Sequence, residues 1–349
     1  MNIQETYMYR CLQLAALGAG QVAPNPMVGA VLVFENTIIG EGYHQQYGQA
    51  HAEVNCINSV TAANKKFIEQ STLYVSLEPC AHFGKTPPCA DLIIKNKITA
   101  VIIGCRDSYN EVDGKGIQKL QAAGIKVTVG VLEKESLELN RRFFTFHAKR
   151  RPYIILKWAQ SANAKIAANN FAAVKITNDI TNRLVHKWRS EEAAILVGFN
   201  TALQDNPSLT NRFWYGKNPV RLVIDRQLKL PASLHLFDGK VKTIVYNDVK
   251  QKEQNGVFYH LTDTSKNLIP FILKSLFELN IQSVFVEGGT SLLQSFIDGN
   301  NWDEARVCTN QKLIIEDGIP APKLCNNLLV TDDNSTADKI SIYKNKLPN

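Results

Sequence analysis

No stretch of this 349-residue sequence approaches the ~20 apolar residues that a membrane-spanning helix requires. The longest apolar runs, such as Val28 to Phe34 and Val101 to Cys105, are far shorter. The segment Met1 to Arg10 is polar and lacks the layout of a signal peptide, so the cytoplasm is the expected address. The seven cysteines do not pair off. Without an export signal they read as thiols, metal ligands or core residues rather than a disulfide framework. Concentrated charge is missing too: 39 basic against 32 acidic residues leave +7, thinly spread over both halves of the chain. A nucleic-acid binder gathers its Lys and Arg on one face, whereas this surplus suits an enzyme that holds anionic small molecules. Internal repeats and low-complexity tracts are absent.

What is present is an ordinary globular balance, 45% apolar and 20% charged. The length exceeds what one hydrophobic core serves, so two domains are expected. Up to Val129, β-branched apolar runs alternate with helix-like segments, the pattern of α/β units around a sheet. Strands are expected at Val28–Phe34, Thr72–Leu77, Ala100–Cys105 and Lys126–Val129. Helices are expected at Ala52–Val60, Cys89–Asn96 and Ile117–Ala123, the last closed by Gly124. A further helix from Glu133 to Phe146 runs into a basic stretch ending at Pro152, where proline blocks helix continuation. The domain boundary falls there, giving 1–148 and 149–349. Beyond it, strands are expected at Tyr153–Trp158, Ala194–Gly198, Val220–Asp225, Thr243–Tyr246 and Ser283–Glu287. Helices are expected at Asp179–Arg189, Leu268–Leu279 and Ser291–Ile297. The Gly288-Gly289 turn between strand and helix is a phosphate-cradling arrangement, since a helix N-terminus offers unpaired N–H groups and glycine lets a ligand approach them. The last twenty residues read as a polar, poorly ordered tail.

The residues richest in chemistry are His51-Ala52-Glu53, Pro79-Cys80 and Pro87-Pro88-Cys89. One histidine and two cysteines supply three zinc ligands and leave a fourth position open, the layout of a catalytic site. Glu53, in the first turn of the following helix, can reach water at that position without being a ligand and move its proton to a leaving amine. His-x-Glu after one strand with Pro-Cys after the next is the signature of zinc-dependent nucleobase deaminases. Cys11, Cys56, Cys105, Cys308 and Cys325 lack such company and read as packing residues.

Together, Pro24-Asn25-Pro26-Met27-Val28-Gly29, His51-Ala52-Glu53 and the run from Ser76 to Cys89 resemble the deaminase half of the bifunctional riboflavin-biosynthesis deaminase/reductases. Eight residues separate Cys80 from Cys89, where cytidine-type and tRNA-type deaminases have two. The resemblance implies an N-terminal cytidine-deaminase-like α/β/α domain holding one Zn2+, with Glu53 as the proton carrier. It also implies substrate contacts at Asn25, His44, His82 and Lys85. An Asn amide offers a donor and an acceptor to a base edge, and a Lys ammonium suits a phosphate.

Arg151 to Ala159, Ala194 to Gly198 and the residues Thr201, Asp205, Asn206 to Thr210 and Arg212 are similar to the reductase half of that family. This half implies a dihydrofolate-reductase-like α/β domain using NADPH. Cofactor contacts carried over are Ala159, Thr201, Asp205, Gly289, Thr290, Ser291, Leu292, Leu293, Gln294 and Ser295. Those for the ribosyl phosphate substrate are Arg189, Leu209, Arg212 and Glu287, arginines being suited to bidentate phosphate grip. Two segments depart from the family. Ser161-Ala162-Asn163-Ala164-Lys165-Ile166-Ala167 stands where Ser-Leu-Asp-Gly-Lys-Ile-Ala is usual, and alanine at 164 argues against a positive φ there. Ala172 to Thr177 replaces a loop whose serine and tryptophan are missing here. The chain beyond Trp302 is shorter and less typical than the family suggests.

The reading is a bifunctional enzyme acting on a small phosphorylated pyrimidine, with neither nucleic acid nor membrane as partner and a homo-oligomer implied by the resemblance. Two alternatives stand beside it: a deaminase whose second domain is degenerate, and a nucleic-acid-binding protein with a structural zinc.

Overall fold

A computed structural model describes residues 2–81, 83, 87–107, 113–169 and 174–347. The chain separates into two compact units, Met1–Ala148 and Lys149–Asn349.

The first unit opens with α1 (Ile3–Ala16), a hairpin of β1 (Gly29–Phe34) and β2 (Thr37–Tyr43), and α2 (Ala52–Asn58). Then come β3 (Thr72–Leu77), α3 (Cys89–Lys95), β4 (Ala100–Cys105), α4 (Lys115–Ala122), β5 (Lys126–Val129), α5 (Glu133–Leu139) and α6 (Arg141–Lys149). The sheet order is β2-β1-β3-β4-β5, with β1 antiparallel to both neighbours and β3, β4 and β5 parallel. The apolar run of β1 is buried on both faces. Val31 and Val33 meet Met8, Cys11 and Leu14 of α1, whereas Ala30 and Leu32 join the core containing Cys56 of α2 and Ile93 of α3. Alternation of period two thus sends successive side chains into two cores.

Two elements of this half were not anticipated, and one expected helix is divided. The start of the chain is helical: Asn2 accepts from the Glu5 N–H and the Glu5 side chain answers to the Asn2 N–H, a capping box that its Asn-x-x-Glu spacing encodes. A strand at Thr37–Tyr43, not anticipated, completes the hairpin. The single helix expected from Glu133 to Phe146 is two helices broken at Asn140.

The second unit begins with β6 (Tyr153–Ser161), β7 (Lys165–Ala168), α7 (Asp179–Glu191), β8 (Ala194–Val197), α8 (Phe199–Asp205) and β9 (Val220–Ile224). It continues with β10 (Thr243–Asn247), β11 (Lys252–Gln254), β12 (Val257–Leu261), α9 (Leu268–Glu278), β13 (Ser283–Val286) and α10 (Thr290–Asp298). Four strands close it: β14 (Glu304–Asn310), β15 (Gly318–Pro320), β16 (Asn327–Asp333) and β17 (Lys339–Asn345). Ten strands form one sheet in the order β11-β12-β10-β9-β8-β13-β6-β14-β17-β16. From β12 to β14 every pairing is parallel, and the outer strands β11, β17 and β16 are antiparallel. Ile154, Leu156, Leu196 and Leu222 pack under α9 and α10, while Ile155, Ile195 and Val223 face Val185 and Trp188 of α7.

The expected disordered tail is instead the β16–β17 hairpin, with β17 paired to β14 along Glu304–Thr309. Its polarity reflects an edge strand: β16 is exposed at six of its seven residues. Ala164 has φ +55°, against the expectation from its side chain. Turn bonds outweigh the local preference, since the Ala164 N–H donates to Ser161 O, the Lys165 N–H to Ser161 Oγ, and Ala321 N–H to Ala164 O. Asn163 explains the rest of the departure. Its amide donates to Ile315 O at 2.9 Å while its oxygen accepts from Ser161 Oγ and the Ile315 N–H, a donor role that a carboxylate could not fill. Cys11, Cys56, Cys105 and Cys308 are buried as expected of packing residues, but Cys325 is exposed and packs nothing.

Candidate active site

In the first unit, α2 and α3 aim their N-termini at the carboxyl end of β3. His51 is the N-cap of α2, which places Glu53 in its first turn, and Cys89 is the first residue of α3. Gly42 lets α2 settle on β2, because a Cβ there would lie 2.2 Å from the Cys56 nitrogen. Cys80 follows β3 through Glu78-Pro79. His51 Nδ1 lies 3.6 Å from Cys80 Sγ and 3.3 Å from Cys89 Sγ, and the three ligand atoms fall within 4.8 Å of one another. Tetrahedral zinc with Zn–S of ~2.3 Å and Zn–N of ~2.05 Å sets N···S separations of roughly 3.6 Å, so the donor set fits zinc in type and spacing.

The electrostatics match that set. The two thiols share one proton: the hydrogen bond between them draws Cys80 down, with His51 assisting, and pushes Cys89 up, and Cys80 also accepts the Cys89 N–H at 3.3 Å. His51 is raised by its bond to Cys80. Glu53 is only 3% exposed, and burial, reinforced by Cys80, pushes its carboxyl up. A carboxyl so displaced toward neutrality is suited to accept and return a proton.

His44 stands beside the trio with its ring 5.4 Å from that of His51, edge on. Its Nδ1 is 3.0 Å from Ala50 O and its Nε2 is 3.2 Å from Asn25 Nδ2. Burial lowers its pKa. Asn25, His44, His51, Glu53, Cys80 and Cys89 therefore form one cluster, whereas His82 and Lys85 lie outside the described residues. Glu78, within the run from Ser76 to Cys89, has a role that the sequence alone does not show. Its buried carboxylate accepts the backbone N–H groups of Asp107, Gly114, Gly116 and Ile117 at 3.0–3.3 Å, fixing the chain just before Cys80. Gly116 makes this possible, because a Cβ there would sit 2.0 Å from Pro79 O.

In the second unit a cavity of about 1470 Å³ runs across the carboxyl ends of β6, β13, β8, β9 and β10. That end of a parallel sheet is where nucleotides bind in open α/β folds, and the volume exceeds the ~300–1,000 Å³ of a single-ligand pocket. Ala159, Thr201, Asp205, Glu287, Gly289, Thr290, Ser291, Leu292 and Ser295 line it. Gly288 and Gly289 form a cradle that side chains would fill, their Cβ atoms falling 2.7 Å from Leu292 Cδ2 and 3.3 Å from Thr201 Oγ1. With no side chain capping the start of α10, the cradle fits a phosphorylated cofactor.

Some expected contacts point elsewhere. Leu293 is fully buried in the core, and Leu209 is 2% exposed among apolar neighbours. Gln294 binds Asp298 and the backbone of Lys323, and the Thr290 hydroxyl donates to Pro320 O. Arg189 and Arg212 are not among the residues that line the cavity. Arg189 grips Glu287 through two bonds of 2.8 and 2.6 Å, and each arginine also bonds Thr210. Burial would raise the Glu287 carboxyl, but Arg189 and Lys157 outweigh it and hold it down at about 2. His186 accepts the Arg212 N–H on Nδ1 and is pushed down to about 4 by burial and by both arginines. Lys157, Asp225, Arg226 and Asp248 also line the cavity and were not among the expected site residues. Their position at the ends of parallel strands was the available signal. Of the second departing loop, Val174 to Thr177 line the cavity and 172–173 lie outside the described residues.

A zinc-type donor set with a buried glutamate in one unit and a nucleotide-sized cleft over a parallel sheet in the other define a two-domain nucleotide-converting enzyme. Comparison with known proteins narrows the class. Residues 1–105 match the cytidine and deoxycytidylate deaminase zinc-binding region, and residues 152–317 match the RibD C-terminal domain. The riboflavin biosynthesis protein RibD of Aquifex aeolicus is 40% identical over 324 residues, covering 90% of this chain and 89% of its own. That of Bacillus amyloliquefaciens is 40% identical over 311 residues, covering 86% and 83%. The crystal structure of the Thermotoga maritima diaminohydroxyphosphoribosylaminopyrimidine deaminase/5-amino-6-(5-phosphoribosylamino)uracil reductase superposes with a TM-score of 0.89 at 37% identity, covering 98% of this chain and 99% of that one. The chain belongs to the RibD family of bifunctional riboflavin-biosynthesis enzymes, which join a deaminase to a reductase. No helix among the described residues is long and apolar enough to cross a membrane.

Proposed function

We propose that residues 1–148 hydrolytically deaminate 2,5-diamino-6-(5-phosphoribosylamino)pyrimidin-4-one and that residues 149–349 reduce the ribosyl group of the product to ribityl with NADPH. The observation that carries the first step is the buried Glu53 carboxyl beside a His51, Cys80 and Cys89 set at tetrahedral spacing. These three side chains would hold zinc, which would supply a polarised water for attack at neutral pH. Glu53 takes the proton that the water gives up as its oxygen bonds to the amine-bearing ring carbon. It returns that proton to the amine, which leaves as ammonia. Asn25 and His44 hold the pyrimidine edge, and Lys85 with His82 takes its phosphate side.

In the second step NADPH bound in the cavity would supply the hydride for the open-chain sugar. The Gly288-Gly289 cradle and the start of α10, with Thr201, Ser291 and Ser295, hold the cofactor phosphates, and Asp205 contacts the cofactor as a hydrogen-bond acceptor. Glu287, fixed by Arg189, faces the sugar from the cavity wall, and Arg212, exposed and outside that lining, is assigned to the ribosyl phosphate on the family resemblance alone. The closed turn at Ser161–Lys165 favours a working reductase over a degenerate one, because Asn163 and Ala164 complete it despite their departure from the family pattern. A cytoplasmic homo-oligomer is part of this reading on family grounds. Ammonia release from the diaminopyrimidine, followed by NADPH oxidation on addition of the deaminated product, tests both halves. Ammonia without NADPH oxidation would leave only the deaminase.

A further inference from the structure

Asn140 takes no part in the chemistry proposed above, yet it is 2% exposed and makes a contact across 113 residues of sequence. It stands in the break between α5 and α6, where its own backbone stays in the helical bonding pattern: its N–H donates to Ser136 O and its carbonyl accepts from Phe144. The side chain is therefore spare. Met27 N–H donates to Asn140 Oδ1 at 2.8 Å, and Asn140 Nδ2 donates to Met27 O at 2.9 Å. The carboxamide pairs with both backbone groups of one residue, as a neighbouring strand would.

That residue ends the segment Pro24-Asn25-Pro26-Met27. Two prolines strip this segment of backbone donors, leaving the N–H groups of Asn25 and Met27. Asn25 N–H is tied to Val22 O, and the Met27 N–H goes to Asn140. The segment is thus anchored at one end by its own turn and at the other by Asn140. Between the anchors the Asn25 side chain reaches His44. A carbonyl only accepts, so His44 Nδ1 carries the proton donated to Ala50 O, and Nε2 accepts from the Asn25 amide. This fixes which way the amide faces: one N–H goes to His44, leaving Oδ1 as an acceptor. Ala50 adjoins His51, so the chain of contacts from Asn140 ends at the metal trio.

We infer that Asn140 is a positioning residue of the deaminase pocket, holding Met27 so that Asn25 presents its Oδ1 to a ring N–H or amino group of the pyrimidine. The inference rests on the deaminase reading. Asn140→Asp keeps the acceptor for Met27 N–H but sets a carboxylate oxygen against Met27 O, and Asn140→Leu removes both bonds. In each variant the KM for ammonia release should rise at least tenfold while kcat stays within threefold and the zinc content stays at one per chain. NADPH oxidation by the second unit, on its own substrate, should not change and shows that the effect is confined to the first unit, whose folding the zinc content reports. A lowered melting temperature with KM within twofold of the unaltered chain would make Asn140 a structural tie and overturn the inference. Hydrogen exchange on the unaltered chain decides the matter even if neither variant folds. Saturating deaminated product should protect residues 24–28 and 136–144 together, and protection of the first without the second would refute the coupling. Absence of ammonia release from the unaltered chain would instead refute the deaminase reading, and this inference with it.

Discussion

Replacing Ala164 by glycine should stabilise the second unit, although adding glycine to a chain ordinarily weakens it. Ala164 sits at φ +55° in the turn between β6 and β7. An L-residue with a Cβ pays roughly 1–2 kcal/mol in that region. Glycine removes that cost and gives back about 0.4–1 kcal/mol through the greater freedom of the unfolded chain. Nothing else is lost, because Ala164 is exposed and its backbone bonds to Ser161 and Ala321 do not involve the methyl group. The net gain is on the order of 0.5–1 kcal/mol, a shift of roughly 1–4 °C for a unit of this size. Trp158, Trp188, Trp214 and Trp302 all fall in the second unit, so tryptophan fluorescence in urea reports on that unit alone. The midpoint should rise at unchanged slope. A midpoint that falls would refute the strain argument and restore the expectation that alanine at 164 marks an ordinary turn.

Glu53→Gln should keep zinc bound and lower ammonia release by about 10²-fold or more, since the amide cannot carry the proton; metal analysis alongside the assay checks it, and loss of metal would contradict the role given to Glu53. Removing zinc with a chelator should abolish ammonia release and leave NADPH oxidation intact, because His51, Cys80 and Cys89 all belong to the first unit. Acid should act on the second unit in two stages. His186 is held neutral to about 4, so the unfolded chain binds its proton first and stability falls as pH drops from roughly 6.5 through 4. Glu287 is held ionised to about 2, so its contribution is whole above the usual carboxylate range and is lost as pH falls from roughly 4.5 toward 2. Urea titrations of tryptophan fluorescence at stepped pH would show both stages, and Glu287→Gln should shrink the second, leaving the part that Asp263, Asp238 and Asp332 contribute.

The zinc trio was legible because its spacing and residue types are local to two helix starts and one strand end. The β-strands of the first unit were legible for a similar reason, since runs such as Thr72–Leu77 are buried on both faces and carry their signal in composition alone. Asn140 was not, because the periodicity from Glu133 to Phe146 continues through it and the partner that claims its side chain is Met27, far away in sequence. The β16–β17 hairpin was hidden by the exposure of an edge strand, which permits polar residues and erases alternation. The contacts at Leu293 and Gln294 were carried over as a continuous run. A helix turns each successive side chain by 100°, so α10 shows only part of that run to the cavity.

Strand order in the second unit also governs how the chain is made. β6, its first strand, is hydrogen-bonded between β13 and β14, with Tyr153 opposite Ser283 and Ile155 opposite Glu304. Until those distant residues leave the ribosome, both edges of β6 have no native partner, and its apolar faces wait with them. The first unit has no such debt, because every strand of its sheet is present once Val129 has emerged. A nascent chain can therefore carry a finished metal site joined to an unclosed sheet, and a stall between residues 149 and 304 would yield an aggregation-prone deaminase rather than an inert fragment.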